Sequence, residues 1–177
     1  DKVHTAVETY REAVRVTFTG ETVEWTTDDL SAFLSTVVAK MEAGATKAVA
    51  LNGGTTPTYW IFDVTSFDLL GGLDDEGRAF VKPTSFGPKS VPVFLEGPTR
   101  QMKTLTERDD AMAVYEMVKS STLHDEELGM YMISESLEGM SFEIGRMMAF
   151  APGWLENQSI WLHMSYKFYL ELLRAKL

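Results

Sequence analysis

The sequence predicts a mainly α-helical chain with a few short strands, and three observations point there. Apolar residues recur at intervals of three and four over several long stretches. Between Thr46 and Pro98 that spacing gives way to short runs rich in β-branched and aromatic residues. From Glu156 to Leu177 there is neither Gly nor Pro, and apolar side chains occupy most of the helical circumference.

Val3, Val7, Tyr10 and Val14 are spaced for a first helix running to about Thr17 and ending near Gly20. A second follows: Thr27 can cap it, Asp28 and Asp29 suit its positive N-terminal end, and Leu30, Phe33, Leu34, Val37, Val38 and Met41 form one apolar face before Gly44 stops it. Lys47–Leu51, Tyr59–Val64 and Val91–Leu95 read as brief strands or extended segments, and Gly71–Pro88 as an irregular loop. Asn52-Gly53-Gly54-Thr55-Thr56-Pro57 is a turn, since it has neither the length nor the Lys of a phosphate-binding P-loop. Helix resumes over about Glu107–Ser120, with Ala111, Val114, Tyr115 and Val118 on one side. Leu137, Met140, Ile144 and Met148 mark another helix ending at Pro152, and the last runs from about Glu156 to the terminus. The expected organisation is a single, incomplete domain over residues 1–177, with an irregular extended segment at about 46–106.

At 177 residues and 45 % hydrophobic content, with 10 Phe, 6 Tyr and 4 Trp, the chain can bury a substantial core and is not a disordered composition. Its net charge of −10 argues against binding a nucleic-acid backbone, which calls for a basic face. Without Cys there is no disulfide, thiolate metal site or cysteine nucleophile, and His4, His124 and His163 are too dispersed for a multi-histidine metal site. No apolar run approaches the roughly 20 residues of a bilayer span, so the expectation is a soluble or peripheral protein of undetermined compartment. A start at Asp1 without a signal-peptide pattern suggests a processed terminus or a piece of a longer protein. The methionines between Met112 and Met164 read as flexible core filler.

The segment from Ala149 to His163 is the most site-like. Pro152-Gly153 breaks the preceding element, and at about 100° per residue Glu156, Ser159, His163, Lys167 and Arg174 fall within a stripe about 80° wide on the following helix, interrupted by Leu170. A polar stripe on a buried helix needs partners, because an unpaired buried polar group costs about 1–3 kcal/mol. One reading turns the stripe towards a polar ligand. The other sends Lys167 and Arg174 to solvent, caps the helix with Glu156 and bonds His163 to a carbonyl; periodicity alone favours this second reading.

Arg146 precedes the Pro-Gly turn, and antiparallel packing of the flanking helices would bring it near His163. A cation, an imidazole and helix N-terminal donors would suit an oxyanion or phosphate, whereas a structural Arg146–Glu156 ion pair explains the same residues without a ligand. Tyr131, Ser134 and Ser136 are candidate hydroxyls for the same cleft. Trp154 and Trp161 are candidate platforms for a sugar ring, although Trp in a buried helix usually belongs to the core. Asp63, Glu96, Glu135, Glu138 and Glu143 supply carboxylates, but no spacing selects a glycosidase pair.

Tyr10-Arg11-Glu12, Gly53 to Tyr59, Phe94-Leu95-Glu96-Gly97-Pro98, Leu128-Gly129-Met130-Tyr131 and, above all, Glu143-Ile144-Gly145-Arg146 through Pro152-Gly153-Trp154-Leu155-Glu156-Asn157 to His163 resemble glycoside phosphorylases related to cellobiose phosphorylase. The resemblance is to the C-terminal part of the catalytic region, in the branch acting on β-1,3-glucan oligosaccharides. It implies a partial (α/α)6 barrel and an inverting phosphorolysis of β-glucan oligosaccharides to a sugar 1-phosphate, with inorganic phosphate as co-substrate and no other cofactor. It assigns His163 to phosphate and Glu156 to the adjacent sugar or phosphate site. Arg146 and Trp154 join them as candidate binding residues, and no catalytic residue is assigned. The family's Asp general acid precedes the region represented here, and further phosphate contacts follow it, so the isolated chain is expected to be inactive. The alternatives are a degenerate, non-catalytic structural subunit of a larger assembly and a carbohydrate-binding module using Trp154 and Trp161. Each helical reading expects other protein chains, or missing parts of its own, to cover the apolar faces.

Overall fold

The structure, a computed structural model, describes residues 2–18 and 20–177 and divides into two compact units, Asp1–Glu42 and Ala43–Leu177. Helix α1 spans Lys2–Val14, close to its expected range, and α2 spans Thr27–Leu51. The cap of α2 is Thr26 instead of Thr27. The Asp29 amide donates to Thr26 Oγ1 at 3.1 Å, while the Thr26 amide donates to Asp29 Oδ2 at 3.0 Å. This reciprocal capping box satisfies two helix-end donors.

The bonds from the Thr26 hydroxyl and amide hold the Asp29 carboxyl below its ordinary value near 3.8. Because its folded pKa is lowered, the stabilisation is present above the unfolded pKa and lost as pH falls through the folded one. Amide chemical shifts over residues 26–30 are therefore expected to report fraying of α2 below about pH 4, and Asp29→Asn to abolish that pH dependence. An unchanged acid response in the Asn variant would exclude this cap as its source.

Gly44 does not stop α2, and Lys47–Leu51 is its last stretch and not a strand. A single exposed Gly inside a helix costs only about 1 kcal/mol, which a 25-residue helix tolerates. No described residue of α1 or α2 is buried, and Leu30, Phe33, Leu34, Val37, Val38 and Met41 all lie exposed.

The expected strand at Tyr59 is longer than its pattern showed. Strand β1, Trp60–Leu73, pairs antiparallel with β2, Ala79–Ser90, in a register from Trp60 opposite Ser90 to Leu73 opposite Ala79. The interval 71–88 is thus mostly hairpin, not loop. Asp74 makes the reversal: its carboxylate accepts from the Arg78 amide at 2.8 Å and from Arg78 Nε at 2.7 Å, and Gly77 takes φ 80°. Pro83 and Pro88 are accommodated because each strand of a two-stranded ribbon has a free edge.

Val91–Leu95 is the extended segment of the two forms expected for it, with Phe94 making an isolated bridge to Ser134. It leads into α3, Glu96–Met102, and then α4, Arg108–Ser120, which agrees with its expected range to one residue. Short strands β3, His124–Asp125, and β4, Met130–Tyr131, pair antiparallel. The expected helix over Leu137–Met148 is replaced by two 3-10 turns, Phe142–Ile144 and Arg146–Ala149, because Gly139 and Gly145 take φ 77° and 97° and interrupt the α-helical path. The final helix α5 spans Leu162–Arg174, six residues later than the Glu156 start expected for it.

The expectation of a mainly α chain resembling a partial (α/α)6 barrel is therefore corrected. With 45 % helix, 19 % strand and two antiparallel two-stranded sheets, the architecture is mixed α/β. The irregular segment at 46–106 is likewise replaced by the end of α2, the hairpin and α3. The core lies within residues 91–172: Leu95, Val118 and Leu123 surround Phe168, all with no exposed area, and Tyr131 packs edge-on to Phe168 at 5.0 Å. Helix α5 is not buried all round. It buries Met164, Ser165, Phe168, Glu171 and Leu172 and leaves Leu162 and Leu173 exposed. No described helix is long and apolar enough to cross a membrane.

Candidate functional site

Trp154 and Glu156 lie on the segment between the second 3-10 turn, which carries Arg146, and α5, which carries His163, and that segment is a braced turn. The Gly153 amide donates to the Asn157 carbonyl at 2.8 Å, the Asn157 amide donates to the Trp154 carbonyl at 3.2 Å, and Asn157 Nδ2 reaches the Phe150 carbonyl at 2.8 Å. Leu155 and Gln158 take φ 48° and 52°, in the left-handed region disfavoured for residues with a Cβ. A helix cannot pass through them, so α5 starts later.

The surrounding fold imposes this geometry. Ser134, with no exposed area, donates its hydroxyl to the Glu156 carbonyl at 3.0 Å and accepts from the Gln158 amide at 3.1 Å. The Ile133 amide donates to the Ser159 carbonyl at 2.7 Å, and Trp161 Nε1 donates to the Leu155 carbonyl at 2.7 Å. The Ser159 hydroxyl donates to that same carbonyl. Ser134 thus acts on the backbone of the site, a role that its sequence context did not distinguish from that of a ligand hydroxyl.

Glu156 and Arg146 come together: Arg146 Nη2 donates to Glu156 Oε1 at 2.9 Å. The structural ion pair is formed, with the Arg146 side chain 80 % exposed and that of Glu156 21 % exposed. Such a half-solvated pair contributes about 1 kcal/mol or less. Its second oxygen, Oε2, is buried without a partner among the described residues, and so is Asn157 Oδ1. Both are acceptors lacking a donor.

His163 is the second residue of α5, exposed, with its ring 5.1 Å from that of Trp161. Glu156 and Ser159 belong to the turn and not to α5, so the expected five-residue helical stripe does not form. Trp154 is exposed and stacks its edge on Phe150 at 5.1 Å. Tyr131 lies in the core. Burial first, and then its hydrogen bond and proximity to Tyr115, push its phenol above the ordinary value, so it stays protonated at neutral pH. Ser136 is exposed on a different cleft, with Thr122 and Glu135.

Chemically, residues 146–163 carry an exposed guanidinium paired with Glu156, an exposed indole, two buried acceptors in need of donors and, at the start of α5, an exposed imidazole set against Trp161. Among the described residues no group of three or more His, Asp or Glu side chains is arranged to hold a metal ion. No family model, curated protein or solved structure matches the chain.

Proposed function

We propose that the chain is a portion of an inverting glycoside phosphorylase that converts β-glucan oligosaccharides to a sugar 1-phosphate, and that it provides the phosphate-side wall of the active site. The sequence resemblance motivates this reading, and the single geometric observation that carries it is the unpartnered Glu156 Oε2 beside the exposed Arg146. A carboxylate only accepts hydrogen bonds, so its natural complement is a donor such as a sugar hydroxyl. Oε2 is buried in this conformation, so meeting such a donor requires the side chain to turn and release the weak Arg146 pair.

In that reaction a phosphate oxygen attacks the anomeric carbon while an acid outside this chain protonates the departing glycosidic oxygen. The carbon–oxygen bond to phosphate forms as the glycosidic bond breaks, with inversion. Arg146 neutralises phosphate charge through its forked donors, His163 donates a ring N–H to it, and Trp154 offers an aromatic face to a sugar ring.

In the native assembly containing this chain, His163→Ala is expected to lower glucose 1-phosphate release from laminari-oligosaccharides about 100-fold and to raise the KM for phosphate, the effect of removing one preorganised donor. Unchanged phosphate dependence would overturn the assignment. The isolated chain is expected to release no glucose 1-phosphate, and turnover matching the native assembly would refute an acid located elsewhere.

A second reading, a non-catalytic structural subunit, is favoured by the exposed apolar faces of α1, α2 and the hairpin, which include Val7, Leu34, Val38, Phe62 and Phe86. Apolar exposure on this scale marks interaction surfaces. Under that reading the same assay gives no turnover in the native assembly.

A further inference from the structure

A polar cavity lies between the α3–α4 connection and the end of α5, wholly within the unit Ala43–Leu177 and formed by residues other than the Glu156–His163 turn. It holds about 620 Å³, and four of the chain's 16 basic residues, Lys103, Arg108, Arg174 and Lys176, line it against two acidic ones, Glu107 and Glu171. In a chain of net charge −10 this is a local reversal of sign.

All four cations are exposed, and two of them are tethered by a buried carboxylate. Glu171, only 4 % exposed, accepts from Arg174 Nη1 at 2.8 Å and sits 3.9 Å from Lys103 Nζ, so one buried carboxylate holds both of these cations at the cavity. Arg108 Nε donates to the Lys176 carbonyl at 3.3 Å, leaving both of its Nη nitrogens without a partner among the described residues. Lys176 Nζ is also unpaired among them. Asp109 and Asp110, on the first turn of α4, do not line this cavity, and Asp110 lines a different one.

Lys176 itself breaks a local rule. It follows α5 with φ 57°, its amide bonded to the Leu173 carbonyl at 3.1 Å and the Leu177 amide bonded to the Leu172 carbonyl at 2.9 Å. This is a Schellman closure, whose left-handed position is normally Gly. A lysine there accepts backbone strain and puts a cation on the cavity rim, and local conflicts of this kind concentrate at functional sites.

We infer that this cavity binds a phosphate group, free or carried on a small sugar, through Arg108, Arg174, Lys103 and Lys176. Forked arginine donors and lysine point charges suit a tetrahedral dianion, and the volume falls in the range of small-molecule sites. The inference stands apart from the phosphorylase reading, because neither Glu156 nor His163 takes part.

Calorimetric titration of the full chain with inorganic phosphate and with glucose 6-phosphate, against chloride at matched ionic strength and against glucose, tests it. Saturable binding of one or both phosphates is expected, and the stronger of the two identifies the source of the group. Lys176→Gly is expected to weaken binding about tenfold while leaving the Tm unchanged or raised, since Gly relieves the left-handed strain. Arg108→Gln should weaken binding similarly, and His163→Ala should leave it intact. Binding that chloride reproduces, or an affinity unaffected by both Lys176→Gly and Arg108→Gln, would overturn the site. Loss of binding in His163→Ala alone would assign the phosphate to the other turn.

Discussion

Phe168→Ala is expected to destabilise the unit Ala43–Leu177 by about 3–5 kcal/mol, because the ring is fully buried and the surrounding elements cannot close the space it leaves. The ring meets Tyr131 edge-on at 5.0 Å and joins α5 to the cluster of Leu95, Val118 and Leu123. Against the roughly 5–15 kcal/mol that separates a typical domain from its unfolded state, the loss leaves this unit marginal. Urea denaturation followed by tryptophan fluorescence should show a markedly lower midpoint, with Phe168→Leu retaining most of the stability. A midpoint for the Ala variant close to that of the parent would mean that Phe168 does not hold the core.

Ser134→Ala is expected to produce the second large effect, and it bears on the candidate site. The hydroxyl both donates to the Glu156 carbonyl and accepts from the Gln158 amide, so its removal strands one acceptor and one donor next to a residue with no exposed area. At about 1–3 kcal/mol for each unsatisfied group, the turn should loosen by about 2 kcal/mol or more. Hydrogen exchange at the Gln158 amide should then accelerate by about 30-fold, whereas Ser136→Ala, at an exposed position, should leave it unchanged. Equal exchange rates in the two variants would show that the turn is held by its own bonds alone.

Elements whose signals were local were legible in the sequence. Helix α4 begins one residue from its expected start, since its apolar spacing and its acidic first turn agree. The Asn52–Pro57 turn was evident from its Gly pair, and the start of α2 was displaced by one residue because adjacent threonines compete for the cap. The β1–β2 hairpin was not legible. Gly71-Gly72, Pro83 and Pro88 carry loop signals individually, and only pairing with β1 makes that stretch a strand. The helix expected over Leu137–Met148 had the right apolar spacing, but Gly139 and Gly145 took left-handed conformations that spacing does not encode.

At the candidate site, the sequence brought Arg146, Trp154, Glu156 and His163 into one short window and left open whether Arg146 joins His163 at an anion or pairs with Glu156. The structure contains the ion pair and adds the unpartnered oxygen beside it. The cationic cavity had no sequence signal, because Lys103 and Arg108 lie more than sixty residues before Arg174 and Lys176.

By itself the sequence determined the acidity of this chain, its lack of cysteine and the helices marked by apolar periods, because these follow from composition and from interactions within a few residues. The tertiary structure alone decided where α5 begins, that β2 exists, and which oxygen of Glu156 is left without a donor. Each depends on a backbone or side-chain group supplied from elsewhere in the fold: Ile133 and Ser134 for the turn, β1 for its partner strand, and Arg146 for one oxygen only. Such long-range hydrogen bonds select among conformations that local propensity leaves close in energy.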